Sequence, residues 1–151
     1  MREFSSETRL TLDIDPPPDF RAELGRRING FHGETVPFAS RRFTVRLDGV
    51  DGALVGGLSG VISWGWLFVD ALWVDAAARG QGVGRALLAR AEAYAAEQGC
   101  HDVWLDTFQA RGFYEALGYA VFGALEAYPE GQTRHFMRKR ILPVGSCVDS
   151  I

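Results

Sequence analysis

Lysine is almost missing from this chain: of its 16 basic residues only Lys139 is a lysine, and the rest are arginine. Cysteine is nearly as scarce. Cys100 and Cys147 stand alone, with no Cys-x-x-Cys pair and no histidine pair nearby. That spacing argues against a disulfide framework and against a metal site, although His101 adjoins Cys100. It suits a reducing compartment, so a cytoplasmic location is expected. Neither thiol has a recognisable base beside it, so a covalent cysteine mechanism is not expected. No run of 18 apolar residues exists to span a membrane, and no signal segment is expected. An excess of one charge is lacking too. The 16 basic and 19 acidic residues give a formal charge of −3. Residues 1–75 hold 8 basic and 11 acidic groups and residues 76–151 hold 8 of each, so neither half is a basic footprint for nucleic acid.

What is present is ordinary globular composition, 47% hydrophobic and 23% charged over 151 residues. That length predicts one domain, residues 1–142, with a core large enough to fold alone. The tail 143–151 carries no pattern and is expected to be mobile. Along the chain, Arg9 to Ile14 alternates and predicts a strand. Pro16-Pro17-Pro18 breaks it and leads into a helix from about Asp19, with Phe20, Leu24 and Ile28 on one side. Gly30 to Pro37 reads as a loop. Phe43, Val45 and Leu47 mark a half-buried strand, joined through the turn Asp48–Gly52 to a second strand, Ala53–Ser63, weakened by Gly56 and Gly57. Trp64-Gly65-Trp66 turns into an apolar strand, Leu67–Val74. A helix from Gln81 aligns Val83, Leu87, Ala91 and Tyr94 and ends at Gly99. Then come a strand, His101–Thr107, a short helix, Gln109–Leu117, and strands over about Ala120–Leu125 and Gln132–Ile141.

Between the apolar strand and the long helix lies Arg79-Gly80-Gln81-Gly82-Val83-Gly84-Arg85. A strand feeding a Gly-rich turn that opens a helix suits phosphate: free backbone N–H groups point outward, and the helix N-terminus adds partial positive charge. Gly82 and Gly84 let a ligand approach the backbone, and Arg79 and Arg85 can reach phosphate oxygens. The Walker pattern fails because Arg85-Ala86 follows Gly84, and the dinucleotide fingerprint fails on the spacing of its third glycine.

The segment does read Arg-x-x-Gly-x-Gly, which resembles the pyrophosphate loop of the GNAT superfamily, the acetyl-CoA-dependent N-acetyltransferases. Phe113-Tyr-Glu-Ala-Leu-Gly-Tyr119 is similar to the Phe-Tyr-x-x-x-Gly-Phe/Tyr signature of the same superfamily, and Glu126–Arg140 resembles the ending of one bacterial subgroup. The likeness covers about residues 40–142. It implies an α/β fold with a mixed, mostly antiparallel central sheet flanked by helices. It also implies that two parallel central strands, here Leu67–Val74 and Val103–Thr107, splay apart around coenzyme A. Relatives with this ending read Asp-Thr-Phe-Ser-Phe-Gln-Ala, whereas this chain reads Asp106-Thr-Phe-Gln-Ala110. The two missing residues put the position of the following helix, and of Tyr114, in question.

Acetyl transfer from acetyl-CoA to an amine needs four things. Phosphates must be anchored, for which Arg79, Gly80, Gln81, Gly82, Val83, Gly84 and Arg85 are the candidates. The thioester carbonyl must be polarised, by a backbone N–H near Trp73 or Val74 if a bulge frees it. The ammonium must lose its proton; an amine of pKa about 10.4 is neutral at pH 7 roughly once in 2,500 molecules, a barrier of about 4.6 kcal/mol. Asp70, the one charge inside Leu67–Val74, is the candidate base; the competing reading is a structural carboxylate paired with an arginine. Finally, the thiolate must be protonated, and the resemblance assigns that to Tyr114. Phe31, His32, Trp66 and Phe68, with Trp64, could line an aromatic acceptor cleft. Glu34 could orient an amine, and His135 reads as structural or at the cleft rim. The expected partner is a small-molecule amine, with no nucleic acid, membrane or metal, and a homodimer is open through an exposed sheet edge. Two other readings stay open: an acyl-CoA-binding or regulatory domain without chemistry, and an unrelated nucleotide-phosphate binder.

Overall fold

The computed structural model describes residues 7–33 and 40–144, with side chains for all of these except 31–33. They fall into two compact units, residues 1–38 and 39–151.

The first unit holds α1, Pro18–Gly33. Proline is tolerated in a first helical turn, where its missing N–H has no partner to lose, and Asp19 complements the dipole there. Arg27 reaches back to Glu23 at 2.8 Å, one turn away. The helix overruns the loop expected from Gly30 by one turn; Glu34 to Pro37 lie outside the described residues. The strand expected at Arg9–Ile14 is absent. Its alternation is present in sequence, but this unit offers no second strand among its described residues, and an isolated strand has nowhere to bond its backbone.

The second unit is a six-stranded sheet in the order β1-β2-β3-β4-β6-β5. The strands are β1 Ser40–Asp48, β2 Leu54–Ser63, β3 Trp66–Val74, β4 Asp102–Thr107, β5 Ala120–Glu126 and β6 Thr133–Arg140. All neighbours are antiparallel except β3 and β4. The mixed, mostly antiparallel sheet is therefore as expected. The last strand is not at the border: β6 inserts between β4 and β5, which leaves β1 and β5 as edges. The expected turn at Asp48–Gly52 forms, closed by Gly49 N–H to the Ala53 carbonyl at 2.8 Å.

Helix α2, Val83–Glu97, lies on one face of this sheet with Leu87, Leu88, Ala91 and Ala95 buried. Tyr94 meets Phe43 edge-on at 4.8 Å between ring centres. Gly56, one of the two glycines that weaken β2 in sequence, makes this packing possible, since a Cβ there would stand 3.0 Å from Val83; within the sheet, a Cβ on Gly60 would stand 2.8 Å from Leu67. Leu67, Val103, Leu105, Met137 and Cys100 are fully buried at the centre. Burial pushes the Cys100 thiol pKa up, which is the opposite of activation. The short helix α3, Arg111–Ala116, follows β4.

Candidate active site

The site begins where β3 and β4 part. Their parallel pairing lasts only three rungs, Trp66 with Asp102, Leu67 with Val103 and Phe68 with Trp104. At the last rung the Phe68 and Trp104 rings stack at 4.1 Å. Beyond it β3 stays with β2 and β4 stays with β6. The cause is local. Ser59 opposes Ala71 while Gly60 opposes Val69, so Asp70 is an extra residue in β3, and such a bulge bends and twists the strand that carries it.

The bulge is therefore at Asp70 and not at Trp73 or Val74, which pair regularly with Gly57 and Gly56. Asp75 N–H bonds back to the Val55 carbonyl at 2.8 Å. In an antiparallel ladder, bonded and non-bonded positions alternate, so Trp73 faces β2 while the amides of Val74 and Leu72 face into the split. It is the missing β4 neighbour that frees them.

Two cavities meet in this split. One, of about 560 Å³, is lined by Leu72 to Val74, the loop residues Arg79, Gly80 and Gly82 to Arg85, and Phe113 and Tyr114. The other, of about 380 Å³, is lined by Val69 to Trp73, Leu105 to Ala110, Tyr114 and Arg134. They share Leu72, Trp73, Gln109, Ala110 and Tyr114.

The loop cavity is built as an anion site. Gly82 caps α2 with φ 81°, a left-handed conformation that glycine adopts without strain. No side chain caps the helix and no acid stands in its first turn, so the N–H groups of that turn are open. The helix begins at Val83, leaving Gln81 in the turn, where its side chain reaches the Ala77 carbonyl at 3.4 Å rather than the cavity. Arg79 bonds the Val74 carbonyl at 3.2 Å through Nε, which ties the loop to the end of β3.

Tyr114 lies at the junction. It is 8% exposed, and despite the shortened connection it lines both cavities. Thr107 Oγ1 accepts the Ala110 N–H at 3.0 Å, so the shortened segment turns tightly into α3. Burial and then the nearby Asp106 charge push the Tyr114 hydroxyl above its ordinary pKa, keeping its proton available. Tyr119, five residues on, makes a contrast. Its hydroxyl donates to Glu92 at 2.9 Å, and Glu92 also accepts from Lys139 at 3.0 Å. Burial and that carboxylate push its pKa far up, and the group is committed to packing.

Asp70 shows the arginine pairing. Arg42 Nη1 donates to its carboxylate at 2.7 Å and to Ser59 Oγ at 2.7 Å. Burial pushes the carboxyl up, but the bonds from Arg42 and Ser59 outweigh it, and the net pKa is lowered. It is thus a fixed negative charge at the split cavity and a weak base. The structure adds a second carboxylate there, Asp106, held by Arg134 at 2.7 Å. Asp106 could have been found by the argument that found Asp70, as an acid inside the apolar strand Val103–Thr107.

Of the aromatic acceptor candidates, Trp66 and Phe68 do not line the split cavity. Trp66 borders a neighbouring hollow of about 400 Å³ with Trp104, Phe122, Phe136 and Arg138. Phe31 and His32 fall in the last turn of α1, and their side chains lie outside the described residues, as does Glu34. Trp64 is in the β2–β3 turn at φ 48°. His135 pairs with Thr107 in the sheet and lines neither cavity. Among the described residues no three His, Cys, Asp or Glu side chains gather as metal ligands, and no helix is long and apolar enough to cross a membrane.

Residues 7–119 match the model of the acetyltransferase (GNAT) family. The chain is 49% identical over 96 residues to a blasticidin-S acetyltransferase of Streptomyces morookaense, covering 62% of this chain and 71% of that protein. A crystal structure of an acetyltransferase from Bacillus cereus superposes with TM-score 0.78 at 27% identity, covering 87% of this chain and 98% of the other. The fold is also that of an aminoglycoside 6′-N-acetyltransferase solved with coenzyme A, at TM-score 0.61 and 22% identity over 68% of this chain and 74% of the other.

Proposed function

Because this chain belongs to the GNAT acetyltransferase family, we propose that it moves the acetyl group of acetyl-CoA to a primary amine of a small molecule by direct attack. The observation that carries this reading is the meeting of the loop cavity and the split cavity at Tyr114. A donor anchored on one side and an acceptor entering from the other come together there.

The pyrophosphate lies on the open amides of Val83 to Arg85, with Arg79 and Arg85 as cationic partners. The thioester carbonyl accepts from the Val74 or Leu72 amide. The acceptor enters as an ammonium, drawn by Asp70 and Asp106, and loses one proton to water as the site desolvates it. Its nitrogen attacks the carbonyl carbon, the C–S bond breaks, and the departing thiolate takes the Tyr114 proton. The nitrogen's second proton restores the tyrosine. Asp70 and Asp106 both line the split cavity, each already holding an arginine, and they are the groups there that can accept from an ammonium. No metal enters this scheme. The similarity to a blasticidin-S acetyltransferase makes antibiotic amines the first acceptors to try.

The test has two stages. Acetyl-CoA at 100 times its dissociation constant should stabilise the protein by about 2.7 kcal/mol, while ATP and NAD should not. Release of free thiol from acetyl-CoA is then followed with a panel of amines that includes blasticidin S and aminoglycosides. Equal stabilisation by ATP would overturn the cofactor assignment, and acetyl-CoA binding without thiol release from any amine would leave a binding domain instead of an enzyme.

A further inference from the structure

Arg134 stands at the start of β6, one step beyond the last rung that pairs with β4, and so opposite Phe108. Its guanidinium touches three separate pieces of chain. Nη1 donates to Asp106 at 2.7 Å, at the end of β4. The guanidinium carbon lies 5.2 Å from the centre of the Phe108 ring, in the shortened connection to α3. It lies 4.2 Å from the centre of the Tyr128 ring, in the turn between β5 and β6. That turn is closed by its own bonds, Tyr128 N–H to the Gln132 carbonyl at 3.2 Å and Gln132 N–H to the Pro129 carbonyl at 2.9 Å. Arg134 Nε is buried without a hydrogen-bond partner.

We propose that Arg134 is a positioning residue for the acceptor, a flat cation clamped by Phe108 and Tyr128 that fixes the wall and the charge of the split cavity. This rests on the acetyl-transfer reading above. The geometry argues for shape rather than simple adhesion. A half-buried arginine whose Nε is buried and unsatisfied is a poor way to gain stability, since apolar residues fill such space at less cost. A planar guanidinium, by contrast, can stack on rings while its edge holds a carboxylate in one orientation. Phe108 and Ala110 belong to the cavity wall, and Arg134 and Thr107 are what hold that segment in place. Arg134 is not part of the loop cavity, so the donor side is left out.

The experiment compares Arg134→Met, Arg134→Lys and Tyr128→Leu with the wild type, using the best acceptor of the amine panel. Arg134→Met should raise the acceptor KM at least tenfold, leave kcat within about threefold and leave the acetyl-CoA dissociation constant unchanged. Arg134→Lys, which keeps the charge but cannot lie flat between two rings, should restore only part of the loss. Tyr128→Leu, which keeps the ion pair with Asp106, should also raise the acceptor KM. Hydrogen exchange at residues 108–110 and 128–132 should accelerate in Arg134→Met while α2 stays protected. An unchanged acceptor KM in Arg134→Met, or complete rescue by lysine with Tyr128→Leu silent, would overturn the clamp. If Arg134→Met fails to fold, Tyr128→Leu and Phe108→Leu carry the same KM and exchange tests. If no amine is turned over although acetyl-CoA binds, the acetyl-transfer reading fails, and exchange at the two segments alone decides whether the clamp exists.

Discussion

The two cavities that meet at Tyr114 are made in different ways. The loop cavity owes its chemistry to seven consecutive residues, Arg79 to Arg85, whose backbone supplies the donors. The split cavity draws on β3, β4, the connection to α3 and the start of β6. Its character comes from side chains 28 residues apart in sequence, Asp70 with Arg42 and Asp106 with Arg134. A site made by contiguous backbone keeps its function while its side chains vary, because the donors are amides. A site assembled from distant side chains changes with every register shift. The family is therefore legible in the first, and the second is where we propose the acceptor is chosen.

The largest expected effect falls where the two cavities join. Tyr114→Phe removes the acid and should lower kcat by roughly 10²-fold or more. The acetyl-CoA dissociation constant should hold, since no phosphate contact is lost. Full activity in this variant would take Tyr114 out of the mechanism. Because the hydroxyl pKa is raised, wild-type kcat should also show no tyrosine limb as the pH climbs to 10.

Asp70→Asn separates the cavities from the acceptor side. It should lower kcat/KM for the amine by about tenfold to a hundredfold, the scale of a charge-assisted contact of about 1.5–3 kcal/mol, again with acetyl-CoA binding intact. A pH effect on stability accompanies it. The folded carboxyl has a pKa below the 3.8 of the free group, so its stabilisation is full above that pH and is lost as the pH falls through the folded value. The melting temperatures of wild type and variant should therefore converge in acid. Equal kinetics would reduce Asp70 to a structural partner of Arg42.

Arg85→Gln probes the donor side. Losing one charge-assisted phosphate contact should weaken acetyl-CoA binding about tenfold, or about 1.4 kcal/mol, while the acceptor KM stays put. A change in the acceptor KM alone would reverse the assignment of the two cavities. The smallest effect is expected at Tyr119. Tyr119→Phe leaves Glu92 bonded to Lys139, so thermal unfolding should report a loss of only about 1 kcal/mol and kcat should not move.

Much of the sheet was legible because its periodicities are local. The strands from Phe43 onward, the turn at Asp48–Gly52 and the helix following the loop all agree with expectation, and the parting of Leu67–Val74 from Val103–Thr107 agrees with what the family resemblance implied. The misses share one cause. Arg9–Ile14 has the alternation of a strand, but alternation does not supply a neighbour to bond with. Gly56 weakens β2 by propensity, yet it is the space into which Val83 and Leu87 fit. The bulge was expected near Trp73 or Val74 because an open amide was needed there. It lies at Asp70 because one extra residue between Val69 and Ala71 is enough to turn β3 away from β4, and the amide opens further along.

The sequence by itself determined the half of the site that we propose for the donor. A glycine-rich turn at the mouth of a helix exposes its own amides whatever surrounds it, and the residues that do so are consecutive. Only the tertiary structure decided the acceptor half. It decided whether Asp70 faces Arg42, whether Arg134 sits over the Phe108 and Tyr128 rings, and whether the Thr107–Ala110 connection brings Tyr114 to the junction. Those outcomes depend on strand register, and register is set by how whole faces of the sheet pack, a property that no single segment of the chain carries.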